Sequence, residues 1–193
     1  MKKIALTGNI GSGKTLVANI FQRLGAPVFN ADKAGHTLLG DKDVKTQVKA
    51  LFGTDIFTDN NINRAALASV VFNDKTKLEA LNCIIHPKVF DCFKDFCVLH
   101  EKSPYVLFES ALIFENNYQS FFDDIVLVYA PEDIRLKRLM LRDNNSEAAV
   151  KARMNNQLDD DMKRDKVSYI ILNDDKTLVL PQVLKLHDIF KGI

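Results

Sequence analysis

Five short apolar runs recur along the chain, and each of them ends in polar or turn-forming residues. The runs cover residues 4–6, 27–29, 105–108, 125–129 and 169–172. Continuous apolar runs of this length are typical of strands that are buried on both faces of a parallel sheet. The pattern therefore predicts an α/β protein with five strands in its core.

Helical spacing of apolar residues fills most of the chain between these runs. One helix is predicted over 17–24, and from about residue 35 to residue 103 the spacing predicts helices only, including one over 65–72 and a boundary at His86-Pro87. A crossover between parallel strands needs about a dozen residues, so this segment is much longer than the topology requires. We expect it to bind an acceptor substrate, the alternative being an insertion with a structural role alone.

The stretch Gly8–Thr15 reads GNIGSGKT and joins the first strand to the first helix. It fits the G-x-x-x-x-G-K-[ST] pattern of phosphate-binding loops, whose glycines let the backbone curl and turn N–H groups towards phosphate oxygens. Lys14 is expected to contact the β- and γ-phosphates, and the Thr15 hydroxyl to ligate Mg²⁺. The predicted nucleotide-binding residues are Gly8, Asn9, Ile10, Gly11, Ser12, Gly13, Lys14, Thr15 and Leu16.

Polar residues follow three of the predicted strands at their carboxyl ends, where open parallel sheets bind ligands. Asp32 is able to accept a proton from a substrate hydroxyl or to hold a Mg²⁺-bound water, and it fits equally well as a cap of the next helix. Glu109 is expected to assist Mg²⁺. Asn173 is suited to contact an adenine edge, although a turn accounts for it as well.

The segment 142–166 is highly charged and poor in large apolar residues, which favours a mobile flap over a core element. On the helix before it, Arg135, Arg138 and Arg142 fall on one face. An arginine on a flap would neutralise the charge that develops on a transferring phosphoryl group, and we expect Arg142 to do so. For Arg135 and Arg138, a solvent-exposed helix face is the favoured interpretation.

The charge balance narrows the choice of partners. The 193 residues include 26 lysines and arginines against 25 aspartates and glutamates, a net charge of +1, so no electrostatic feature points to nucleic acid or a membrane surface. No apolar run has the length of a transmembrane helix, and Met1-Lys2-Lys3 leads directly into the first strand without a signal sequence. We therefore expect a cytoplasmic protein with no nucleic-acid, membrane or obligatory protein partner.

Over nearly its whole length, the chain resembles the dephospho-coenzyme A kinases. The motifs that carry the resemblance lie at 6–15, 31–32, 64–67, 85–87, 112–115, 138–143, Arg153, Gln157 and Asn173. The resemblance implies a P-loop kinase-like three-layer fold, with a five-stranded parallel sheet, a helical substrate-binding insertion and a small lid. It also implies that ATP phosphorylates the ribose 3′-hydroxyl of dephospho-coenzyme A, which is the last step of coenzyme A biosynthesis.

The same resemblance implies roles for individual positions. Asp32 becomes the base for the 3′-hydroxyl, Lys14 holds the phosphates and Arg142 belongs to the lid. Arg64 and His86 fall in the substrate domain, where we expect them to bind dephospho-coenzyme A. ATP and Mg²⁺ are the implied cofactors. The implied divisions are a nucleotide-binding core over 1–34, 104–137 and 167–193, a substrate domain over 35–103 and a lid over 138–166.

The chain departs from the family pattern at several positions near the expected site. Asn30 stands where the family usually has an aspartate, Asn9 replaces a glycine of the loop, and Glu109 replaces an aspartate. Because Asp32 and Lys14 are intact, we expect the reaction to be kept and its rate to be altered.

Two other functions are compatible with parts of the sequence. A different small P-loop kinase, acting on a nucleoside, nucleotide or shikimate-like hydroxyl, would share the phosphate-binding loop and Asp32, but the long helical insertion favours a larger acceptor. A nucleotide-dependent switch would not need an arginine-bearing flap, and no N-K-x-D motif for reading guanine is present. A panel of hydroxyl acceptors distinguishes between the two kinases. Absence of phosphate transfer to any acceptor, with ATP binding intact, would favour the switch.

Overall fold

The chain folds into two compact units. A computed structural model describes residues 1–71, 74–155 and 157–192. The units are Met1–Asn30 with Leu99–Ile193, and Ala31–Val98. Within the described ranges, no helix is both long enough and apolar enough to cross a bilayer. The division into core, substrate domain and lid made from the sequence stays a prediction, and Phe72, Asn73, Asn156 and Ile193, which it includes, lie outside the described residues.

Strands and helices alternate through the first unit, whereas helices dominate the second. The strands are β1 (Lys2–Thr7), β2 (Val28–Asn30), β3 (Phe57–Thr58), β4 (Asn61–Ile62), β5 (Tyr105–Glu109), β6 (Asp124–Tyr129) and β7 (Tyr169–Leu172). The α-helices are α1 (Lys14–Arg23), α2 (Ala31–Leu38), α3 (Lys42–Phe52), α4 (Arg64–Val71), α5 (Lys75–Leu99), α6 (Glu132–Asp143), α7 (Glu147–Met154), α8 (Asp160–Arg164) and α9 (Val179–Lys191).

The first unit is built on a five-stranded parallel sheet in the order β2-β5-β1-β6-β7, which confirms the predicted fold class. β1 lies at its centre, and all five residues of β5 are buried. Leu6 near the end of β1 is in register with Glu109 at the end of β5. Because the strands are parallel, the loop after β1 and the Glu109 side chain belong to the same edge of the sheet.

Two helices cover the sheet through apolar faces of helical period. α1 buries Val17, Ala18 and Phe21, and α9 buries Val183, Leu186 and Phe190. The rings of Phe21 and Phe190 stack at 6.3 Å between centroids. These side chains and the strand residues beneath them form one apolar core, which fixes the start of α1 relative to the end of β1.

The second unit contains α2 to α5 and a short antiparallel hairpin of β3 and β4. The sequence predicted no strand in this region, so the hairpin is a correction. Asp59 and Asn60 have φ angles of 49° and 60°, the left-handed conformation of a tight hairpin turn. Val44 and Val48 of α3, both fully buried, lie in the core of this unit.

The predicted helix boundary at His86-Pro87 is wrong, because Pro87 lies inside the 25-residue helix α5. A proline in a helix interior removes one hydrogen bond and costs about 3 kcal/mol. On either side of it, Ile84, Val89 and Phe93 are buried. Each such side chain contributes roughly 1.5–3 kcal/mol on burial, which outweighs the cost of the proline.

Candidate active site

The phosphate-binding loop connects β1 to α1, and glycines occupy its positive-φ positions. Gly8, Gly11 and Gly13 have φ angles of 147°, 83° and 95°. A Cβ atom on Gly13 would collide with Nδ2 of Asn173, so close packing as well as backbone conformation requires glycine there. Asn9 does not have a positive φ, which explains why this position accepts an asparagine in place of a glycine.

Lys14 begins α1 and folds back on the loop, where its Nζ donates a hydrogen bond to the carbonyl oxygen of Gly8 at 2.7 Å. The N-cap of α1 is Gly13, which provides no side-chain cap. The first N–H groups of the helix, including that of Leu16, therefore have no side-chain cap and lie at the positive end of the helix dipole. A loop of this form, with an ammonium group beside it, is suited to bind an anion.

Thr15 and Glu109 form a pair of oxygen groups next to the loop. The Thr15 hydroxyl donates to Oε1 of Glu109 at 2.9 Å, and the Asn30 amide donates to Oε2 at 2.7 Å. Glu109 is only 6% exposed. Mg²⁺ prefers oxygen ligands and is usually held by one or two carboxylates together with phosphates and water. The described residues contain no cluster of three His, Cys, Asp or Glu side chains, but one hydroxyl and one carboxylate fit a Mg²⁺ ion that is shared with a nucleotide.

Three predicted site residues lie in the unit Ala31–Val98. Asp32 is exposed in the first turn of α2 and is not its N-cap, since the helix already begins at Ala31. Arg64 is exposed at the start of α4, where its Nη2 donates to the carbonyl oxygen of His36 at 3.2 Å. His86 is half-buried within α5, and burial lowers the pKa of its imidazole, which favours the neutral form.

Asn173 follows β7 and braces the phosphate-binding loop. Its Nδ2 donates to the carbonyl oxygen of Ser12 at 2.7 Å. Arg138 of α6 joins the same group, with Nη2 donating to the Asn173 carbonyl oxygen at 3.0 Å and Nη1 to the Gly11 carbonyl oxygen at 3.3 Å. The sequence favoured a solvent-exposed helix face for Arg138, and its contacts with the loop correct that interpretation.

Arg135 is buried, so the expectation that it lies on a solvent-exposed helix face is wrong. It is 7% exposed, and its Nε donates to the carbonyl oxygen of Ala130 at 3.0 Å. Its Nη2 lies 3.5 Å from Oδ2 of Asp160, which is 2% exposed. Burial raises the pKa of the Asp160 carboxyl, and the charge of Arg135 opposes that rise.

Arg142, which the sequence assigned to a lid, is exposed at the end of α6. Its Nε and Nη2 donate to the two carboxylate oxygens of Asp143 at 2.7 and 3.1 Å. Nη1 of Arg153 from α7 donates to the same carboxylate at 2.6 Å. Two arginines beside one aspartate leave a net positive charge on this surface, a feature that attracts phosphate groups.

The sequence analysis did not predict that a lysine, Lys163, would contact the phosphate-binding loop. Lys163 of α8 is fully buried, and its ammonium contacts Asn9 and Glu115. The abundance of charge in 142–166 predicted an exposed segment, so a buried lysine there is unexpected. The family motifs at 6–15 and 112–115 contain its two partners, but neither motif indicated that they would meet a lysine from this segment.

A family model and curated relatives of this chain name the same family. The family model described as dephospho-CoA kinase matches residues 2–178. The dephospho-CoA kinase of Bacteroides fragilis is 32% identical over 185 residues, covering 95% of this chain and 90% of that protein. The dephospho-CoA kinase of Listeria innocua is 36% identical over 183 residues, covering 90% and 89%. The crystal structure of TT1252 from Thermus thermophilus is 31% identical, covers 96% of this chain and 95% of its own, and has a TM-score of 0.86.

Proposed function

The chain belongs to the dephospho-CoA kinase family, and we propose that it transfers the γ-phosphoryl group of ATP to the ribose 3′-hydroxyl of dephospho-coenzyme A. The products are coenzyme A and ADP, so the reaction completes coenzyme A biosynthesis. The family match over residues 2–178 carries the proposal, because it extends through both units. It favours this acceptor over a nucleoside, a nucleotide or a shikimate-like alcohol.

The proposed donor site consists of the loop and the start of α1, residues 8–16. Backbone N–H groups would hold the β- and γ-phosphates, and Lys14 would exchange its bond to the Gly8 carbonyl for one to a phosphate oxygen. Asn173, whose side chain reaches the Ser12 carbonyl, would stand beside the nucleotide. These groups act by position and charge, which is most of what a loose phosphoryl-transfer transition state requires.

Thr15 and Glu109 are the residues proposed to hold Mg²⁺, the hydroxyl directly and the carboxylate through water. When bound with the nucleotide, Mg²⁺ neutralises charge on the β- and γ-phosphates. Both residues offer oxygen, the ligand type that this ion prefers, and the Asn30 amide fixes the orientation of the carboxylate.

On the acceptor side, we assign the general base to Asp32. The 3′-hydroxyl gives its proton to the Asp32 carboxylate while its oxygen forms a bond to the γ-phosphorus, and the bond from that phosphorus to the bridging oxygen of ADP breaks. Arg142 would neutralise charge on the transferring group.

Arg64 and His86 are proposed to bind dephospho-coenzyme A. The reaction is assigned to the cytoplasm, the compartment that supplies its ATP.

An ADP-release assay with a panel of acceptors tests this proposal. Dephospho-coenzyme A should stimulate ADP release in the presence of ATP and Mg²⁺, whereas coenzyme A, whose 3′-position is already phosphorylated, should not. Adenosine, AMP and shikimate serve as competing acceptors. A stronger response to any of these three would replace the proposed acceptor, and no response to any acceptor despite ATP binding would favour a nucleotide-dependent switch.

A further inference from the structure

A buried lysine connects the phosphate-binding loop to a distant part of the chain. Lys163 is 0% exposed, and its Nζ donates to Oδ1 of Asn9 at 2.6 Å and to Oε1 of Glu115 at 2.8 Å. A buried ammonium group is costly unless it is paired and hydrogen-bonded, so these two contacts determine where Lys163 can lie. One partner is an acid and the other is a loop residue.

Both ends of the Asn9 side chain are held by the segment 157–163. While its Oδ1 accepts from Lys163, its Nδ2 donates to the carbonyl oxygen of Leu158 at 3.0 Å. The next loop residue is held as well, because the N–H of Ile10 donates to Oε1 of Gln157 at 2.7 Å. Two consecutive residues of the loop therefore form three hydrogen bonds with one short segment, accepting one and donating two.

Glu115 ties the same segment together from the other side. Its Oε1 accepts from Lys163 and also from the N–H of Leu158 at 3.1 Å. The ion pair between Lys163 and Glu115 is buried, with side-chain exposures of 0% and 15%. This arrangement fixes the ammonium even if Asn9 is changed, so the hold on the loop can be removed without removing the ion pair.

Asn9 and Ile10, the two residues bonded to the segment 157–163, lie in the part of the loop that is expected to bind phosphate. Asn9 and Ile10 stand between Gly8, whose carbonyl accepts from Lys14, and Gly11, where a Cβ atom would press on Arg135 at 3.1 Å. A loop that is already fixed loses less conformational entropy when it binds a ligand, which increases affinity without any new contact to the ligand.

We propose that Lys163 is a positioning residue for the donor nucleotide. Through its hydrogen bond to Asn9, it holds the phosphate-binding loop in the conformation that binds phosphate. Gln157 has the same role at Ile10. The inference rests on the proposed use of this loop for ATP. It makes the segment 157–163 part of the donor site, although none of its side chains needs to touch the nucleotide.

Asn9→Ala tests the proposal, with Asn61→Ala as its matched control. Asn61 of β4 accepts a hydrogen bond from Lys45 at 2.8 Å, the same chemistry on an exposed surface of the other unit. Calorimetric titration of the full chain should give an ATP dissociation constant raised about tenfold by Asn9→Ala, since a hydrogen bond to a charged group is lost. Asn61→Ala should leave that constant unchanged, and neither change should alter the affinity for dephospho-coenzyme A.

A second variant tests the lysine itself. Lys163→Met combined with Glu115→Gln removes both charges and leaves no unpaired ion, and it should weaken ATP binding about as much as Asn9→Ala does. Adding Asn9→Ala to it should cause a much smaller further loss than Asn9→Ala causes in the wild type, because only the bond from Asn9 to the Leu158 carbonyl then remains to be lost. ATP affinity within twofold of wild type in Asn9→Ala, or equal losses for ATP and dephospho-coenzyme A, would overturn the proposal. If wild type binds ATP but not dephospho-coenzyme A, the proposed function fails while the ATP measurements still decide this inference.

Discussion

The Thr15 hydroxyl donates a hydrogen bond to Oε1 of Glu109 at 2.9 Å across 94 residues of sequence. Parallel pairing of β1 with β5 makes this possible, because it brings the carboxyl ends of both strands to one edge of the sheet. The second carboxylate oxygen accepts from Asn30 at 2.7 Å. Asn30 thus donates to the carboxylate, whereas an ionised aspartate, the residue that the family resemblance led us to expect there, would repel it.

Glu109→Gln should increase the Mg²⁺ concentration needed for half-maximal activity by roughly 10–100-fold, the range for groups that orient a metal site. The amide keeps the size of the side chain but loses its charge. A Mg²⁺ titration of phosphate transfer at saturating ATP measures the effect. Glu101→Gln, at an exposed position of the same unit, is the control. An unchanged Mg²⁺ requirement in Glu109→Gln would exclude Glu109 from the metal site.

Asp32→Asn should fold and bind ATP with wild-type affinity while its turnover falls by about 100-fold or more, the range for general-base assistance. The amide cannot take the proton of the 3′-hydroxyl. Steady-state kinetics and ATP titration give the two quantities. Asp43→Asn removes a carboxylate from the first turn of α3 in the same unit and should not affect turnover. Turnover of Asp32→Asn close to wild type removes Asp32 from the mechanism.

Arg142→Ala should lower turnover by about 100-fold, as expected when a group that stabilises developing charge is lost, and should weaken ATP binding much less. The Arg142 side chain is 59% exposed, so its removal leaves no cavity in the core. Arg23→Ala, at an exposed position in the last turn of α1, is the matched control. Equal losses in turnover and ATP affinity would mean that Arg142 anchors the nucleotide and has no role in transfer.

Gly13→Ala should abolish tight ATP binding, whereas Gly25→Ala should leave it intact. The two glycines have similar φ angles, 95° and 89°, but a Cβ atom meets Asn173 at Gly13 and nothing within 4 Å at Gly25. Both changes carry the left-handed backbone cost of about 1–2 kcal/mol, and only the first displaces the loop. Unfolding curves measure the shared cost, and ATP titration separates the variants. Similar ATP affinities of Gly13→Ala and Gly25→Ala would show that the Asn173 side chain moves away from the added methyl group without displacing the loop.

The paired arginines should make stability depend on pH through Asp143. Hydrogen bonds from Arg142 and Arg153 lower the pKa of its carboxyl from 3.8 to about 2. Because the folded pKa lies below the unfolded one, the stabilisation is fully present above the unfolded value and is lost as the pH falls towards 2. The difference in unfolding free energy between wild type and Asp143→Asn should therefore be constant near neutral pH and shrink below about pH 4. A difference that does not change with pH contradicts this interpretation.

The features that sequence predicted correctly are those with local signals. Each of the five core strands contains a continuous apolar run, and the phosphate-binding loop has glycines where φ is positive. The hairpin of β3 and β4 was missed because two-residue strands carry almost no hydrophobic pattern. Its turn residues Asp59 and Asn60 were the available signal, since aspartate and asparagine accept positive φ angles.

Contacts between distant residues could not be predicted from one sequence. Lys163 is buried because it meets Asn9 and Glu115, which are 154 and 48 positions away. Arg138 contacts Gly11 and Asn173 for the same reason, although its helical face looked solvent-exposed. A charged side chain becomes internal only where the fold supplies its partners, and composition does not record those partners. The roles proposed for individual site residues and the absence of macromolecular partners stay predictions.

The central claim is that the terminal phosphate of ATP passes to the ribose 3′-oxygen of dephospho-coenzyme A. The most direct measurement incubates the protein with ATP, Mg²⁺ and either dephospho-coenzyme A or its 3′-deoxy analogue, and follows the phosphorus by NMR. We predict a new 3′-phosphomonoester with dephospho-coenzyme A and no transfer to the analogue. Phosphorylation of the analogue, or of another position on dephospho-coenzyme A, would contradict the account.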